Sequence, residues 1–354
     1  MTTQPTVSGH PSLLDVAMTF GGKDGKSYKV ANLLSVTNEV IPYFPFLPTN
    51  EELTMKGMAQ TGLPAVTLGR YYKGVKVSKG GWTPVEDACA MAKSRAEIDK
   101  DLAELSGNTK EYRRKRNIGF VEAMNQMFAQ QLIYGSGGGD DVLGLALRYN
   151  DKSSVCGARN ILDAGGAGND NTSIYLVVAG EYSVHGIYPK SSKAGLSHQD
   201  LGEIDAFDDK GLPYRAYAEL WDWKFGLHVL DYRYIVRIAN VDVSDLMDLT
   251  GTQALTAPTS LLKLMIRTFA KIPAMGVGRP MFLANRSVKE MLSVMALEKH
   301  QNVLAFTQAL NHFGTVAPGS VAGTQGEIRG GQLTFMGVPV LTMDGILDTE
   351  DQVV

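Results

Sequence analysis

The chain has little cysteine and no long hydrophobic run, and each shortage excludes a class of protein. Its two cysteines, Cys89 and Cys156, are too far apart for a metal or redox motif, so we expect free thiols in a reducing compartment. No stretch approaches the roughly eighteen apolar residues of a membrane span. The N-terminus also lacks a basic region followed by an apolar core. The sequence therefore predicts a soluble protein made in a cytoplasm, with no membrane partner.

An excess of positive charge is also missing. The 34 Lys and Arg residues are outnumbered by 37 Asp and Glu residues, which gives a net charge of -3 and excludes a basic field that attracts polyanions. The strongest local candidate for nucleic-acid binding is the run of Arg113, Arg114, Lys115 and Arg116. Because consecutive residues point in different directions around a helix, a solvated or inter-subunit ion-pairing role is the favoured interpretation.

Catalytic and cofactor motifs are missing as well. The glycine-rich runs at 135–139 and 165–168 match neither a phosphate-binding loop nor a dinucleotide fingerprint. Ser136 lies outside any G-x-S-x-G motif, and the six histidines form no H-x-x-x-H pair. We therefore predict no enzyme, no cofactor and no metal site. One alternative stays open, namely a soluble enzyme or ligand-binding protein that uses the polar loop 150–172.

The N-terminal part of the sequence predicts an arm followed by a two-stranded ribbon. Composition is that of a globular protein, and 354 residues suit two compact bodies with extensions. The arm ends in IPYFPFLPTN, where Phe44 and Phe46 need an apolar surface on the same subunit or on a neighbour. Residues 61–83 predict a hairpin around Lys73-Gly74. An isolated two-stranded ribbon is too small to bury a core, so we expect it to lie on another surface.

Helical and strand patterns follow in turn. Helix-forming residues fill 84–106, and Asn108 with Glu111 predicts the cap of a second helix that extends to Tyr134, with Gly135 at its C′ position. Residues 173–189 and 214–243 predict long strands, because apolar and polar side chains alternate around Trp221 and Trp223. Helical patterns and a terminal strand-like segment complete an α+β chain.

Several segments, taken in order, resemble a known family. They are TGLPAVTLGRYYKGVKVSKG, QQLIYG, GLALRYN, YLVVAGEYSVHGIYPKSSKAGLSHQDLGE and WKFGLHVLDYRYIVRIANVDVSDL. The ordered set is similar to the major capsid proteins of tailed double-stranded-DNA bacteriophages of the short-tailed type. The chain departs from the expected Gly-Leu-Ala-Pro-Arg-Tyr pattern at Leu147.

The resemblance implies a fold and a division of the chain. It places an N-terminal arm at 1–49, an extended hairpin loop at 50–84, a peripheral domain at 85–245 and an axial domain at 246–354. Within the peripheral domain it places a spine helix at 108–134 on an antiparallel sheet. The long strands precede the axial helices, whereas the resemblance implies that some strands return after them, so a rearranged strand order is left open.

The resemblance also implies a function. It predicts a structural protein of the virion that self-assembles in the host cytoplasm into hexamers and pentamers of an icosahedral head. Its expected partners are copies of itself, portal proteins, scaffolding or decoration proteins, and enclosed double-stranded DNA bound without sequence specificity. Lys76 and Lys79 could supply the lysine of a covalent cross-link, but nothing else of such a site is present, and none is predicted. The predicted assembly contacts are Phe44, Phe46, Tyr71, Tyr72, Lys76, Lys79, Arg113, Arg114 and Arg116.

Overall fold

Two sheets of very different size organise the protein. A computed structural model describes residues 39–354 apart from 70, 106, 139–140, 209, 248–260, 298–303 and 308–331. The predicted arm before residue 39 therefore lies outside the described residues. Within these limits, twelve strands form one sheet and two strands form a separate ribbon. No helix of this part of the chain is long and apolar enough to cross a membrane.

The strands and helices follow one another in a mixed α+β order. The strands are β1 (Phe46–Pro48), β2 (Thr54–Gly62), β3 (Gly81–Ala88), β4 (Ala90–Asp99), β5 (Ile161–Asp163), β6 (Asn171–Ala179), β7 (Val184–Tyr188), β8 (Leu196–Phe207), β9 (Pro213–Val229), β10 (Ile235–Asp242), β11 (Arg279–Ala284), β12 (Leu304–Thr307), β13 (Gln332–Phe335) and β14 (Val338–Thr342). The helices are α1 (Lys100–Leu105), α2 (Thr109–Tyr134), α3 (Leu145–Arg148), α4 (Val155–Asn160), α5 (Val243–Met247), α6 (Leu261–Lys271) and α7 (Arg286–Leu297).

Strand β6 lies at the centre of the large sheet. All of its nine residues are buried, and it pairs with β10 and β11 in antiparallel directions. Strand β11 in turn pairs with β14. Strands do return after the C-terminal helices, as the resemblance implied. Strands from both sides of the proposed boundary at 245/246 thus share one sheet, and the domain limits stay predictions.

The spine helix α2 forms where the sequence predicts it. Its 26 residues begin after Asn108, whose side chain accepts a hydrogen bond from the Glu111 backbone N–H at 3.2 Å. Phe128 on its buried face stacks on Trp223 of β9, with ring centroids 4.7 Å apart. Gly135 ends the helix, but its φ of -54° is not left-handed. Glycine is needed there because a Cβ would lie 2.1 Å from the Val142 carbonyl oxygen.

The helix expected over 84–106 is wrong for most of its length. Residues 84–88 and 90–99 belong to strands β3 and β4, and only α1 is helical. Ten consecutive residues of β4 pair with β9. Ala90, Ala96 and Ile98 are buried, while Met91, Lys93 and Arg95 are exposed, so the burial has the period of a strand. Long-range pairing outweighed helix propensity here.

The ribbon is also longer and more open than the predicted hairpin. Strands β2 and β3 pair from Thr54 opposite Ala88 to Gly62 opposite Gly81. Residues 63–80 extend beyond the ladder and form a tip without strand pairing among its described positions. The turn residue with positive φ is Tyr72, at 60°, and not Gly74.

Candidate assembly interface

The tip of the ribbon, residues 63–80, exposes its apolar side chains to an unusual extent. Leu68 is 99% exposed, Tyr71 is 97% exposed and Val77 is 94% exposed. Isolated exposed apolar residues are ordinary, but a contiguous set marks an interaction surface. Large hydrophobic side chains that lie more than half exposed on the tip are Leu63, Val66, Leu68, Tyr71, Tyr72, Val75 and Val77.

The same tip carries charge of one sign. It contains no Asp or Glu, whereas Lys73, Lys76 and Lys79 are present and exposed. None of these three lysines takes part in an ion pair within the described part of the chain. The predicted contacts Tyr71, Tyr72, Lys76 and Lys79 therefore lie together on one accessible element. Their role between subunits stays a prediction.

One carboxylate, Asp87, attaches the base of the ribbon to the body of the subunit. Arg148 of α3 forms an ion pair with its Oδ1 atom. The Nδ1 atom of His228 lies 2.8 Å from its Oδ2 atom, and the Val229 backbone N–H donates to the same oxygen at 3.1 Å. Burial opposes ionisation, but the hydrogen bond from His228 and the charge of Arg148 hold the pKa of Asp87 below its usual value.

The arginines at the start of the spine helix are mostly engaged within the subunit. Arg113 forms ion pairs with buried Glu219 at 2.6 Å and with Asp200 at 2.8 Å. Arg116 donates to the Tyr112 hydroxyl at 3.3 Å. Arg114 is exposed. Arg113 and Arg116 are thus bound within the subunit, whereas the sequence favoured solvated or inter-subunit roles for the cluster. The contribution of the cluster to assembly stays a prediction.

The two phenylalanines of the arm pack inside their own subunit. Phe44 is buried in the main core, and half-buried Phe46 lies with its ring centroid 6.4 Å from that of Phe128. Of the two alternatives left open by the sequence, packing on the same subunit is the one favoured for residues 40–48. Assembly contacts of Phe44 and Phe46 stay predictions.

The alternative prediction placed an enzyme or ligand site at the polar loop 150–172. In the structure, the C-terminal residues 352–354 form hydrogen bonds to this loop. The Lys152 backbone N–H donates to the Val354 carbonyl at 3.1 Å, and Gln352 donates to the Gly166 carbonyl at 3.4 Å. Asn240 exchanges two hydrogen bonds with the backbone of Val353. The described residues hold no group of three or more His, Cys, Asp and Glu side chains suited to a metal ion. Hydrogen bonds from residues 352–354 therefore cover part of this loop.

A buried ionic network fastens the C-terminal segment to the sheet and the spine helix. Arg237 is 3% exposed and pairs with Glu350 at 2.9 Å. Ser173 also donates to Glu350, and the Tyr134 hydroxyl donates to its other oxygen at 2.5 Å. A neighbouring cleft of about 440 Å³ is lined by Tyr134, Arg237 and Glu350, whose polar groups bind one another.

Sequence reasoning missed Asp87, His228, Arg237 and Glu350. Arg237 and His228 lie in largely apolar strands, whereas Asp87 follows Glu86 and Glu350 lies in the acidic run 348–351, which the sequence gives no reason to bury. One sequence signal could have identified a buried ion pair, namely a charged residue within a buried strand. Arg237 in IVRIANV is such a residue. The partners come from distant parts of the chain, so the pairs themselves could not be read from local sequence.

Comparisons with known proteins agree with this geometry. A family model described as Major capsid protein GP7 matches residues 22–354. A chain in the structure of bacteriophage Epsilon15 superposes with a TM-score of 0.73, at 24% identity over 99% of each chain. This likeness shows that the two chains share a fold.

Two more distant structures are also similar. A chain of the bacteriophage JBD30 capsid has a TM-score of 0.47 and 9% identity, covering 88% of this chain and 92% of that one. A chain of the holo-SrpI encapsulin complex from Synechococcus elongatus PCC 7942 has a TM-score of 0.40 and 14% identity, covering 64% and 95%. The comparison with curated proteins finds no match.

Proposed function

The chain belongs to the major capsid protein GP7 family, and on this premise we propose that it builds an icosahedral head in which the ribbon of each subunit lies on a neighbouring subunit. Membership in the family makes the chain a structural protein of a bacteriophage capsid shell, located in the virion. Its fold is the α+β fold of tailed-phage capsid proteins. The recognition made from the sequence is therefore confirmed.

The exposed tip of the ribbon is the observation that carries the proposal. A Val, Leu or Tyr side chain gains about 1.5–3 kcal/mol when it moves from water into an apolar contact. Tyr71 and Leu68 are almost fully exposed in the single subunit, so their burial is left to another surface. A copy of the same chain supplies that surface, because capsid shells assemble from identical subunits.

Hexamers and pentamers are the proposed units of the shell. Each contact between a ribbon and a neighbour can be modest, because closure of a ring and then of a shell makes later contacts intramolecular and multiplies their effect. The anchor at Asp87 supports this role, since it holds the base of the ribbon while the tip remains accessible.

A shell that encloses a genome also needs partners other than copies of itself, and these belong to the proposal. We include portal and scaffolding or decoration proteins, assembly in the host cytoplasm, and enclosed double-stranded DNA that is bound without sequence specificity. The net charge of -3 supports this last point, because a shell that condensed DNA by charge would carry an excess of Lys and Arg.

Shortening the ribbon tests the proposal. Gly62 and Gly81 lie opposite each other at the end of the ladder. Residues 63–80 can therefore be replaced by Asn-Gly, which closes a two-residue hairpin and keeps strands β2 and β3. We expect this variant to fold with unchanged circular dichroism and to form no rings or shells by negative-stain microscopy.

Paired substitutions at the tip supply the matched control. Tyr71→Ser with Tyr72→Ser removes apolar area, whereas Tyr71→Phe with Tyr72→Phe keeps it. Loss of about 3 kcal/mol per contact raises the subunit concentration needed for assembly by about 100-fold for the serine pair, while the phenylalanine pair assembles as the wild type does. Shells formed by the shortened variant at wild-type concentration would contradict the proposed role of the ribbon.

A further inference from the structure

His185 is a buried histidine close to the base of the ribbon, and it makes no side-chain hydrogen bond of ordinary geometry to the described residues. His185 of β7 lies directly opposite His228 of β9, with ring centroids 5.1 Å apart. It is 1% exposed, and neither of its ring nitrogens has a partner of that geometry among the residues that the structure describes. Because buried polar groups are nearly always bonded, such a side chain requires an explanation.

Both strands of the ribbon lie against the other histidine of this pair. Asp87 of β3 bonds to the Nδ1 atom of His228 at 2.8 Å. Gly57 of β2 packs so closely that a Cβ there would lie 3.1 Å from the Nε2 atom of His228 and 2.5 Å from Leu230. The ribbon base therefore covers His228, and His185 lies beside it.

The ribbon is a separate unit of backbone pairing, although β3 leads through Cys89 directly into β4 of the large sheet. Strands β2 and β3 form their own two-stranded sheet, so no ladder hydrogen bond joins them to the twelve-stranded sheet. The side-chain attachment of the base converges on Asp87, which also pairs with Arg148. Local opening at this place is less costly than opening of the buried strands of the large sheet.

We propose that protonation of His185 weakens the contact between the base of the ribbon and the body of the subunit. This contact, made by Gly57 and Asp87 on His228, is called the latch below. A protonated His185 needs a strong hydrogen-bond acceptor or water, and in the closed arrangement the backbone of Gly180 does not compensate for burial. The titratable and charged groups around it are His228 beside it on β9, Asp87 on β3 and, through Asp87, Arg148 on α3. Lifting the ribbon base admits water to His185, so proton uptake and opening are coupled.

The direction of the pH dependence follows from burial. Burial, reinforced by the neighbouring His228, lowers the pKa of His185 from 6.5 to about 4. The open form therefore binds a proton at a pH where the closed form does not. The closed form is fully favoured above pH 6.5 and loses its advantage as the pH falls from 6.5 towards about 4.

Hydrogen exchange of the unassembled full-length subunit tests the latch. Exchange is followed by mass spectrometry in peptides from 54–62 and 81–88, and it is corrected for the intrinsic effect of pH. The opening constant of these peptides should increase about tenfold for each pH unit below 6.5. Peptides from buried β6 should not change, and this separates local opening from acid unfolding.

Substitution of His185 completes the test. His185→Leu removes the titrating group and its unpaired nitrogens, so the exchange of the ribbon base should become independent of pH. His185→Gln, a polar side chain that does not titrate, gives the same readout if the leucine variant does not fold. A wild-type base that exchanges equally at both ends of this pH range overturns the proposal, as does a pH response that persists in both variants.

The latch is a property of the single subunit, and only its effect on assembly rests on the proposed function. If ribbon exchange responds to acid but the shortened ribbon still assembles, the latch stands and the proposed function fails. If assembly requires the tip but exchange does not respond to acid, the proposed function stands and the latch fails.

Discussion

The buried pair of Arg237 and Glu350 gives the sharpest prediction about stability. Glu350→Ala leaves the guanidinium of Arg237 buried at 3% exposure without its carboxylate, and it removes the acceptor for Tyr134 and Ser173. Removing one member of a buried ion pair costs about 3–5 kcal/mol, because the remaining charge stays desolvated. This corresponds to roughly a 150- to 5,000-fold increase in the unfolding equilibrium constant.

The assay is urea unfolding of the unassembled subunit, followed by tryptophan fluorescence. Trp221 and Trp223 are buried between the sheet and the spine helix, so their emission reports loss of this packing. Asp205→Asn is the control, since Asp205 and Arg215 form an exposed ion pair 3.4 Å apart that should contribute no more than about 1 kcal/mol.

A double variant tests whether the uncompensated charge of Arg237 causes the loss of stability in Glu350→Ala. Arg237→Met with Glu350→Leu removes both charges, so it should be less destabilised than Glu350→Ala despite changing more atoms. A loss for Glu350→Ala no larger than that of Asp205→Asn would refute the account of a buried, uncompensated charge.

Further predictions concern the ribbon anchor and the ends of the spine helix. Because the folded pKa of Asp87 is lowered, its stabilising contribution is complete above its ordinary value of 3.8 and is lost as the pH falls below that value. Asp87→Asn should remove this part of the acid dependence in a pH series of urea unfolding. Gly135→Ala should destabilise by about 1–3 kcal/mol or more, because its Cβ meets the Val142 carbonyl. Gly119→Ala, with open space around it, should instead stabilise by up to about 1 kcal/mol, and thermal unfolding of both glycine variants measures the difference. Asn108→Ala should cost about 0.5–2 kcal/mol through loss of the helix cap, and an unchanged unfolding temperature would contradict that role.

The spine helix and the long strands could be predicted from sequence because their information is local. Asn108 followed by Glu111 defines the start of the helix, and the alternation around Trp221 and Trp223 defines the buried face of β9. The prediction failed over 90–99, where Ala, Lys and Glu favour a helix in isolation. Ten pairings with β9 decide that segment, and such pairings are not visible in local sequence.

Part of the candidate interface could likewise be predicted from sequence, and part could not. Tyr71, Tyr72, Lys76 and Lys79 could be chosen from sequence because β-prone residues next to a glycine turn suggested a projecting hairpin. Their near-complete exposure became known only from the structure. The anchor at Asp87 could not be predicted, because His228 lies 141 positions further along the chain.

Imaging of assembled particles shows whether the ribbon of one subunit lies on another. Cryo-electron microscopy of the purified full-length chain at assembly concentrations should show closed shells with six-fold and five-fold clusters of subunits. Density for residues 63–80 should then lie on an adjacent subunit, in contact through Tyr71 and Tyr72. A chain that remains monomeric at those concentrations, or shells in which the ribbon tip touches only its own subunit, would contradict the account.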